Sequence, residues 1–169
     1  MRLFVAIQLP CPVRSSLLNA VSRMKELGRG NFTRPENLHL TLIFIGETGN
    51  EEAARQALSM VQGTAFPLSI GGLGSFGDLY WAGVDPSPAL LSLQRQVEGS
   101  FRAAGFKLEQ RPYRPHLTLC RQFRPYGAFR ADEITVRPPT CSIERISLME
   151  SLRRDGRLIY REVAGQQLI

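Results

Sequence analysis

The tetrapeptide His-Leu-Thr-Leu occurs twice in this chain, at residues 39–42 and 116–119, and the two copies contain both of its histidines. In each copy the leucines alternate with the polar residues, and this period of two predicts a β-strand. Residues at i and i+2 leave the same face of a strand, so His and Thr share one face while the leucines pack behind them. The repeat predicts two matching strands, each presenting an imidazole beside a hydroxyl.

The segments that precede the two copies also correspond. Arg34-Pro35 stands before the first copy and Arg111-Pro112 before the second, and a helical pattern lies ahead of each. This correspondence indicates an internal duplication. If the two lobes face each other about a pseudo-twofold axis, both histidines converge on one cleft with Thr41 and Thr118 beside them.

Helical and strand patterns alternate along the rest of the chain. Helices are predicted at residues 13–27, from an Asn50 cap to Gly63, and from Pro88 to Gly105. Strands are predicted at 3–9, 38–45, 66–70, 79–84, 116–119, 133–136, 143–152 and 158–163. The Gly-rich stretch 71–78 is expected to be a turn, and Asp155-Gly156 a hairpin turn. Hairpins favour antiparallel pairing, so the predicted fold class is α+β.

The length, the N-terminal segment and the cysteines limit the expected class of protein. At 169 residues, a single two-lobed domain over residues 1–169 is expected. The apolar run at residues 3–9 is too short to span a membrane and is expected to be a strand. Cys11, Cys120 and Cys141 form no CxxC pair, which favours a reducing cytoplasm.

The charge favours an anionic partner. The formal net charge is +6, and of the 21 basic residues only Lys25 and Lys107 are lysines. Guanidinium groups suit bidentate phosphate contacts, so nucleic acid or a phosphate ester is the expected ligand rather than a membrane. A biased codon composition explains the arginine excess equally well.

The paired motifs suit phosphodiester cleavage. That reaction needs a base to activate water, an acid to protonate the departing oxygen, and donors for the phosphate oxygens. Two imidazoles and two hydroxyls supply these roles, so no metal and no cofactor is expected. Cys120 is predicted on the same face as His116 and Thr118, where it is either a packing residue or a reactive thiol.

These residues resemble the bacterial and archaeal RNA 2′,3′-cyclic phosphodiesterases, also called 2′-5′ RNA ligases, of the two-histidine phosphoesterase superfamily. The similarity covers nearly the whole chain through RLFVAIQLP, RPENLHLTLIFIGE, LYWAGV, GFKLEQRPYRPHLTLCR and ISLMESLRRDGRLIYREV. It implies a bilobal α+β fold with two antiparallel sheets lining a central cleft and helices outside. Phe32 and Asp78 depart from the family pattern, where Trp and a basic residue are more usual.

The resemblance also implies roles for individual residues. His39 would be the proton donor to the ribose O3′ and His116 the proton acceptor that activates water, which leaves a 2′-phosphate. Thr41, Thr118 and Arg121 would bind the phosphate oxygens. Phe44 stands at the matching offset after the first histidine, where it would either wall the cleft or lie in the core, and its alternation with Leu42 favours the core.

Three readings of the function stay open from the sequence. One is a monomeric enzyme acting on RNA with a 2′,3′-cyclic phosphate end, tRNA halves among its substrates, with the reverse joining reaction using the same groups. The second places a 2′-5′ oligonucleotide or a small cyclic phosphate in the same site. The third is an RNA-end-binding module that uses aromatics such as Tyr113, Tyr126 and Trp81 for stacking.

Overall fold

Two four-stranded antiparallel sheets carry the two tetrapeptides. The computed structural model describes residues 1–169 and contains three α-helices: α1 (Cys11–Leu27), α2 (Glu51–Ser59) and α3 (Pro88–Ala103). Its strands are β1 (Arg2–Gln8), β2 (Gly28–Phe32), β3 (His39–Glu47), β4 (Phe66–Leu68), β5 (Ile70–Phe76), β6 (Leu79–Val84), β7 (His116–Pro125), β8 (Cys141–Ile143), β9 (Arg145–Arg154) and β10 (Arg157–Gln167). Short 3₁₀ turns span Pro35–Asn37 and Ala131–Glu133. The predicted α+β class is confirmed.

The first sheet has the order β10-β9-β1-β3 and the second the order β2-β7-β6-β5, while β4 and β8 form a small separate pair. The first tetrapeptide begins the edge strand β3, and the second begins β7, an interior strand. β3 and β7 approach each other, so the two sheets meet along the strands that carry the histidines.

The helices pack outside the sheets, and the chain crosses between the two lobes to place them. α1 follows β1 of the first sheet but packs against β2 and β7 of the second. α3 follows β6 of the second sheet and packs against β3 of the first. One hydrophobic cluster of 36 buried residues runs through both lobes. This shared core supports the prediction of a single domain over residues 1–169, which stays a prediction.

Local signals explain most of the element ends. Asn50 accepts a hydrogen bond from the Ala53 backbone N–H and begins α2, as its sequence position predicted. Pro88 stands at the first turn of α3, where its missing N–H costs no helical bond. Asp155 and Gly156 both have positive φ, 53° and 76°, and close the β9–β10 hairpin as a type I′ turn does.

The Gly-rich stretch 71–78 forms a turn only at Gly77 and Asp78, so the prediction of a turn is wrong for the rest of the stretch. Residues 70–76 form β5, which pairs with β6. A Cβ on Gly74 would clash with the Trp81 ring, so this glycine makes room for the indole on the neighbouring strand. β2 was not predicted for a related reason, because its Gly-Arg-Gly sequence is typical of a helix end.

The strand predicted at 133–136 is also wrong. Ile134 and Val136 are both buried, which accounts for the alternation, but the segment lies outside the sheets. Its carbonyl at Val136 accepts a hydrogen bond from the Gly72 N–H at 3.1 Å. Here the alternation of buried and exposed residues arises because the segment packs against the core, although it belongs to neither sheet.

No helix in the structure is both long and apolar enough to cross a lipid bilayer.

Candidate active site

The two tetrapeptides place their side chains as the alternation predicted. Leu40, Leu42, Leu117 and Leu119 are buried, each at most 2 % exposed. His39, Thr41, His116 and Thr118 are partly exposed and all line one groove of about 1300 Å³ between the sheets. The structure therefore brings both histidines and both threonines into a shared cleft, hereafter the groove.

Each imidazole is fixed by the same backbone contact. The Nδ1 of His39 lies 2.7 Å from the carbonyl oxygen of Asn37, and the Nδ1 of His116 lies 2.7 Å from that of Arg114. A carbonyl only accepts, so Nδ1 carries the proton and donates in both rings. In the neutral ring Nε2 is then the unprotonated nitrogen, ready to accept a proton, and His39 Nε2 lies 2.9 Å from Thr41 Oγ1.

The segment ahead of each motif supports the other motif. Tyr113, three residues before His116, donates its hydroxyl hydrogen bond to the Thr41 carbonyl at 2.8 Å. Thr33, six residues before His39, donates to the Thr118 carbonyl at 2.9 Å. Burial raises the pKa of Tyr113, so its hydroxyl stays a neutral donor. Each motif strand is therefore held by a side chain from the segment that precedes the other motif in the chain.

A β-bulge follows the threonine in both motifs. The pairing register slips at Leu42 in β3, between the β1 partners Val5 and Ala6, and at Leu119 in β7, between Tyr80 and Trp81. The amide of Gln94 donates to the Leu42 carbonyl at 3.4 Å, which satisfies a group that the bulge leaves out of the ladder. One extra residue reverses the alternation beyond each threonine.

The bulges correct two sequence predictions. Phe44 was predicted in the core, but it is 65 % exposed and lines the groove, while Ile43 takes the buried position. Cys120 was predicted beside His116 and Thr118, but it is fully buried in the core. Burial raises the pKa of the Cys120 thiol to about 11, with the charge of Asp78 adding to the effect, so it is a packing residue.

The same shift brings Arg121 into the groove. It lies five residues after His116, as Phe44 lies five after His39, and both side chains face the cleft. No acidic side chain pairs with Arg121. The guanidinium thus lines the groove without an acidic partner, and its charge acts on His39.

The two histidines have different surroundings. The His39 ring lies 5.0 Å from both the Phe4 and Tyr160 rings. Burial lowers the pKa of His39, the hydrogen bond to the Asn37 carbonyl raises it, and the nearby charges of Arg121 and His116 lower it further. Together these effects lower the pKa of His39 below its ordinary value of 6.5. The His116 ring lies 5.3 Å from the Phe76 ring.

Several groove residues were not found from the sequence. Tyr160 on β10 and Phe76 on β5 reach the histidines only through sheet pairing, which no local pattern reveals. Arg34, Arg114, Arg153 and Arg157 also line the groove. The arginine-rich composition was the available signal for them, but it gave no positions. No three or more His, Cys, Asp or Glu side chains cluster as a ligand set.

Two imidazoles on facing strands, each followed by a threonine on the same face, define a two-histidine phosphoesterase. The model of the 2′-5′ RNA ligase superfamily matches residues 13–155. The chain belongs to this superfamily, as its motifs predicted.

Proteins named RNA 2′,3′-cyclic phosphodiesterase are among its relatives. The one from Escherichia coli K12 is 31 % identical, over 94 % of this chain and 92 % of its own length. The one from Geobacillus stearothermophilus is 28 % identical over 83 % of this chain, but this chain spans only 48 % of that protein. Escherichia coli LigT complexed with 3′-AMP has a similar structure, with a TM-score of 0.82, 25 % identity, and coverage of 99 % of this chain and 97 % of LigT.

Proposed function

We propose that this protein hydrolyses the 2′,3′-cyclic phosphate at the end of an RNA strand to a 2′-phosphate. The observation that carries the proposal is the pair of imidazoles in one groove, each with Nδ1 held by a carbonyl. The names of the relatives supply the substrate class. A monomeric protein in the cytoplasm, with all three cysteines free, is part of the same proposal.

In the proposed reaction His116 accepts a proton from water as the water oxygen attacks phosphorus. The bond between phosphorus and O3′ breaks, and His39 gives its proton to the departing O3′. Thr41, Thr118 and Arg121 bind the nonbridging oxygens, where negative charge develops in the transition state. Solvent then returns His39 and His116 to their starting protonation states.

Neither proton transfer in this scheme calls for a metal ion, because imidazole serves as both acid and base. Joining through a 2′-5′ bond would use the same two groups, with the 5′-hydroxyl of a second strand in place of water: His116 accepts its proton, the bond between phosphorus and O3′ breaks, and His39 protonates O3′. The family name supports this joining as a second activity.

The test is incubation of the purified protein, with EDTA present, with a short RNA that ends in a 2′,3′-cyclic phosphate. The expected product is a 2′-phosphate, identified by mass and by resistance to a 3′-specific phosphatase. His39→Ala and His116→Ala should each reduce turnover by about 10²-fold or more, as expected for the loss of a general acid or base. Intact substrate would reject the proposal, and a 3′-phosphate product would show that the leaving oxygen is O2′.

A further inference from the structure

The turn between β9 and β10 carries an unpaired cluster of arginines. Residues 153–157, Arg-Arg-Asp-Gly-Arg, are all exposed and are hereafter the arginine tip. No acidic side chain lies within ion-pair distance of its three arginines. Nearer the base of the same hairpin, Arg145 pairs with Glu162 and Arg161 with Glu150. Ion pairs thus neutralise the arginines nearer the base of the hairpin, and the arginines at the tip keep their positive charge.

Two of these arginines are direct cross-strand neighbours. Arg154 pairs with Arg157 in the β9–β10 register. The tight turn at Asp155 and Gly156 holds the two strands together at this point. Like charges directly opposite each other destabilise a hairpin, and an anion that both contact would remove the penalty. The pair therefore concentrates positive charge at the tip, and Arg157 is the member of the pair that lines the groove.

The arginine tip lies at the groove and close to the proposed proton donor. Arg153 and Arg157 both line the groove that contains His39 and His116. Directly after the tip, the Leu158 carbonyl accepts a hydrogen bond from Asn37 Nδ2 at 3.1 Å. The carbonyl of the same Asn37, a buried residue, accepts the hydrogen bond from His39 Nδ1 at 2.7 Å. Asn37 therefore forms hydrogen bonds both with the residue that follows the arginine tip and with His39, the proposed proton donor.

We propose that the arginine tip binds the internal phosphates of the RNA strand that leads to the cyclic end. This inference rests on the proposed function and extends it, because a site of this kind favours an oligonucleotide over a mononucleotide. Arginine suits the task, since its planar guanidinium contacts a phosphate through two parallel hydrogen bonds. A nucleoside 2′,3′-cyclic phosphate has no internal phosphate and cannot use the tip.

The test compares an RNA oligonucleotide ending in a 2′,3′-cyclic phosphate with the nucleoside 2′,3′-cyclic phosphate. The readout is the ratio of their kcat/KM values in the wild type and in the Arg153→Ala/Arg157→Ala double variant. We expect this ratio to fall by about tenfold or more, because each charge-assisted phosphate contact contributes on the order of a tenfold effect.

A second readout needs no turnover. Binding of a fluorescent RNA with a 2′-phosphate end is measured by anisotropy at several salt concentrations. Loss of two contacts to a single strand should make the slope of log K against log salt shallower by about 1.4, since each contributes about 0.7. An Arg157→Lys variant keeps the charge and should retain most of the slope.

The matched control is Arg137→Ala, which removes an exposed, unpaired arginine outside the groove. It should change neither the ratio nor the slope. A double variant with the wild-type ratio and slope would overturn the inference, as would a slope that the control changes equally. If the wild type binds with the expected slope but turns over neither substrate, the proposed function fails while the arginine tip stands.

Discussion

At the scale of single residues, the two histidines share one hydrogen-bonding scheme but sit in different environments. Both donate Nδ1–H to the carbonyl two residues earlier, which leaves Nε2 for chemistry. His39 is enclosed by Phe4 and Tyr160 and faces the charge of Arg121, so its cationic form is disfavoured in the free protein. The negative charge of a bound phosphodiester would reverse that balance and favour protonated His39, the state a proton donor needs.

This difference predicts separate pH limits for kcat/KM and kcat. The proton donor must be protonated, and kcat/KM reports the free enzyme, so kcat/KM should fall as pH rises through the lowered pKa of His39, below 6.5. The corresponding fall in kcat reports the bound complex and should occur at higher pH. Steady-state rates from about pH 4.5 to 8.5 would measure both limits.

Because the chain has only two histidines, NMR titration gives a direct check on this prediction. The two imidazole signals are followed against pH in the free protein and assigned with a His116→Gln variant. One signal, that of His39, should titrate below 6.5. A His39 signal at or above 6.5, or coincident limits for kcat and kcat/KM, would contradict the prediction.

At the scale of elements, much of the fold was predictable because local signals and tertiary packing agree. The motif strands, the three helices and the hairpin turn at Asp155-Gly156 all follow from periodicity and caps. Pairing between distant strands was not predictable: β5 is a strand because Gly74 accommodates Trp81 from β6. Likewise, the bulges at Leu42 and Leu119 depend on the neighbouring strands, and the sequence alone could not place Phe44 or Cys120.

The bulge in β3 predicts unequal losses of stability for substitutions at two adjacent residues. Ile43→Ala should lower the free energy of unfolding by about 2–4 kcal/mol, because it removes a buried side chain from the core. Phe44→Ala should cost less than about 1 kcal/mol, since that ring is mostly exposed to the groove. Urea denaturation of the two variants measures the difference. Equal losses, or a larger loss for Phe44→Ala, would show that the alternation continues through Leu42 without a bulge.

At the scale of the whole molecule, the site exists only where the two lobes meet. The groove takes one histidine from each sheet, and the hydrogen bonds of Tyr113 and Thr33 each support the motif strand that does not follow them directly in the chain. The crossed packing of α1 and α3 connects the lobes through a common core. We therefore expect that unfolding of one sheet disturbs the position of both imidazoles.

This arrangement predicts that a destabilising substitution in the core of one lobe also lowers the unfolding midpoint measured in the other lobe. Leu58 is a buried residue of α2, a helix that packs against β9 and β10 of the first sheet, whereas Trp81, the only tryptophan, lies in the second. Leu58→Ala should lower stability by about 2–5 kcal/mol. If the lobes unfold as one cooperative unit, the transitions followed by Trp81 fluorescence and by far-UV circular dichroism will shift to the same lower denaturant midpoint.

Met60→Ala, at a 73 % exposed position next to the same helix, is the matched control and should shift neither transition. A Trp81 transition that stays at the wild-type midpoint while the circular dichroism splits into two steps would mean that the lobes are independent domains, contrary to the single domain expected over residues 1–169.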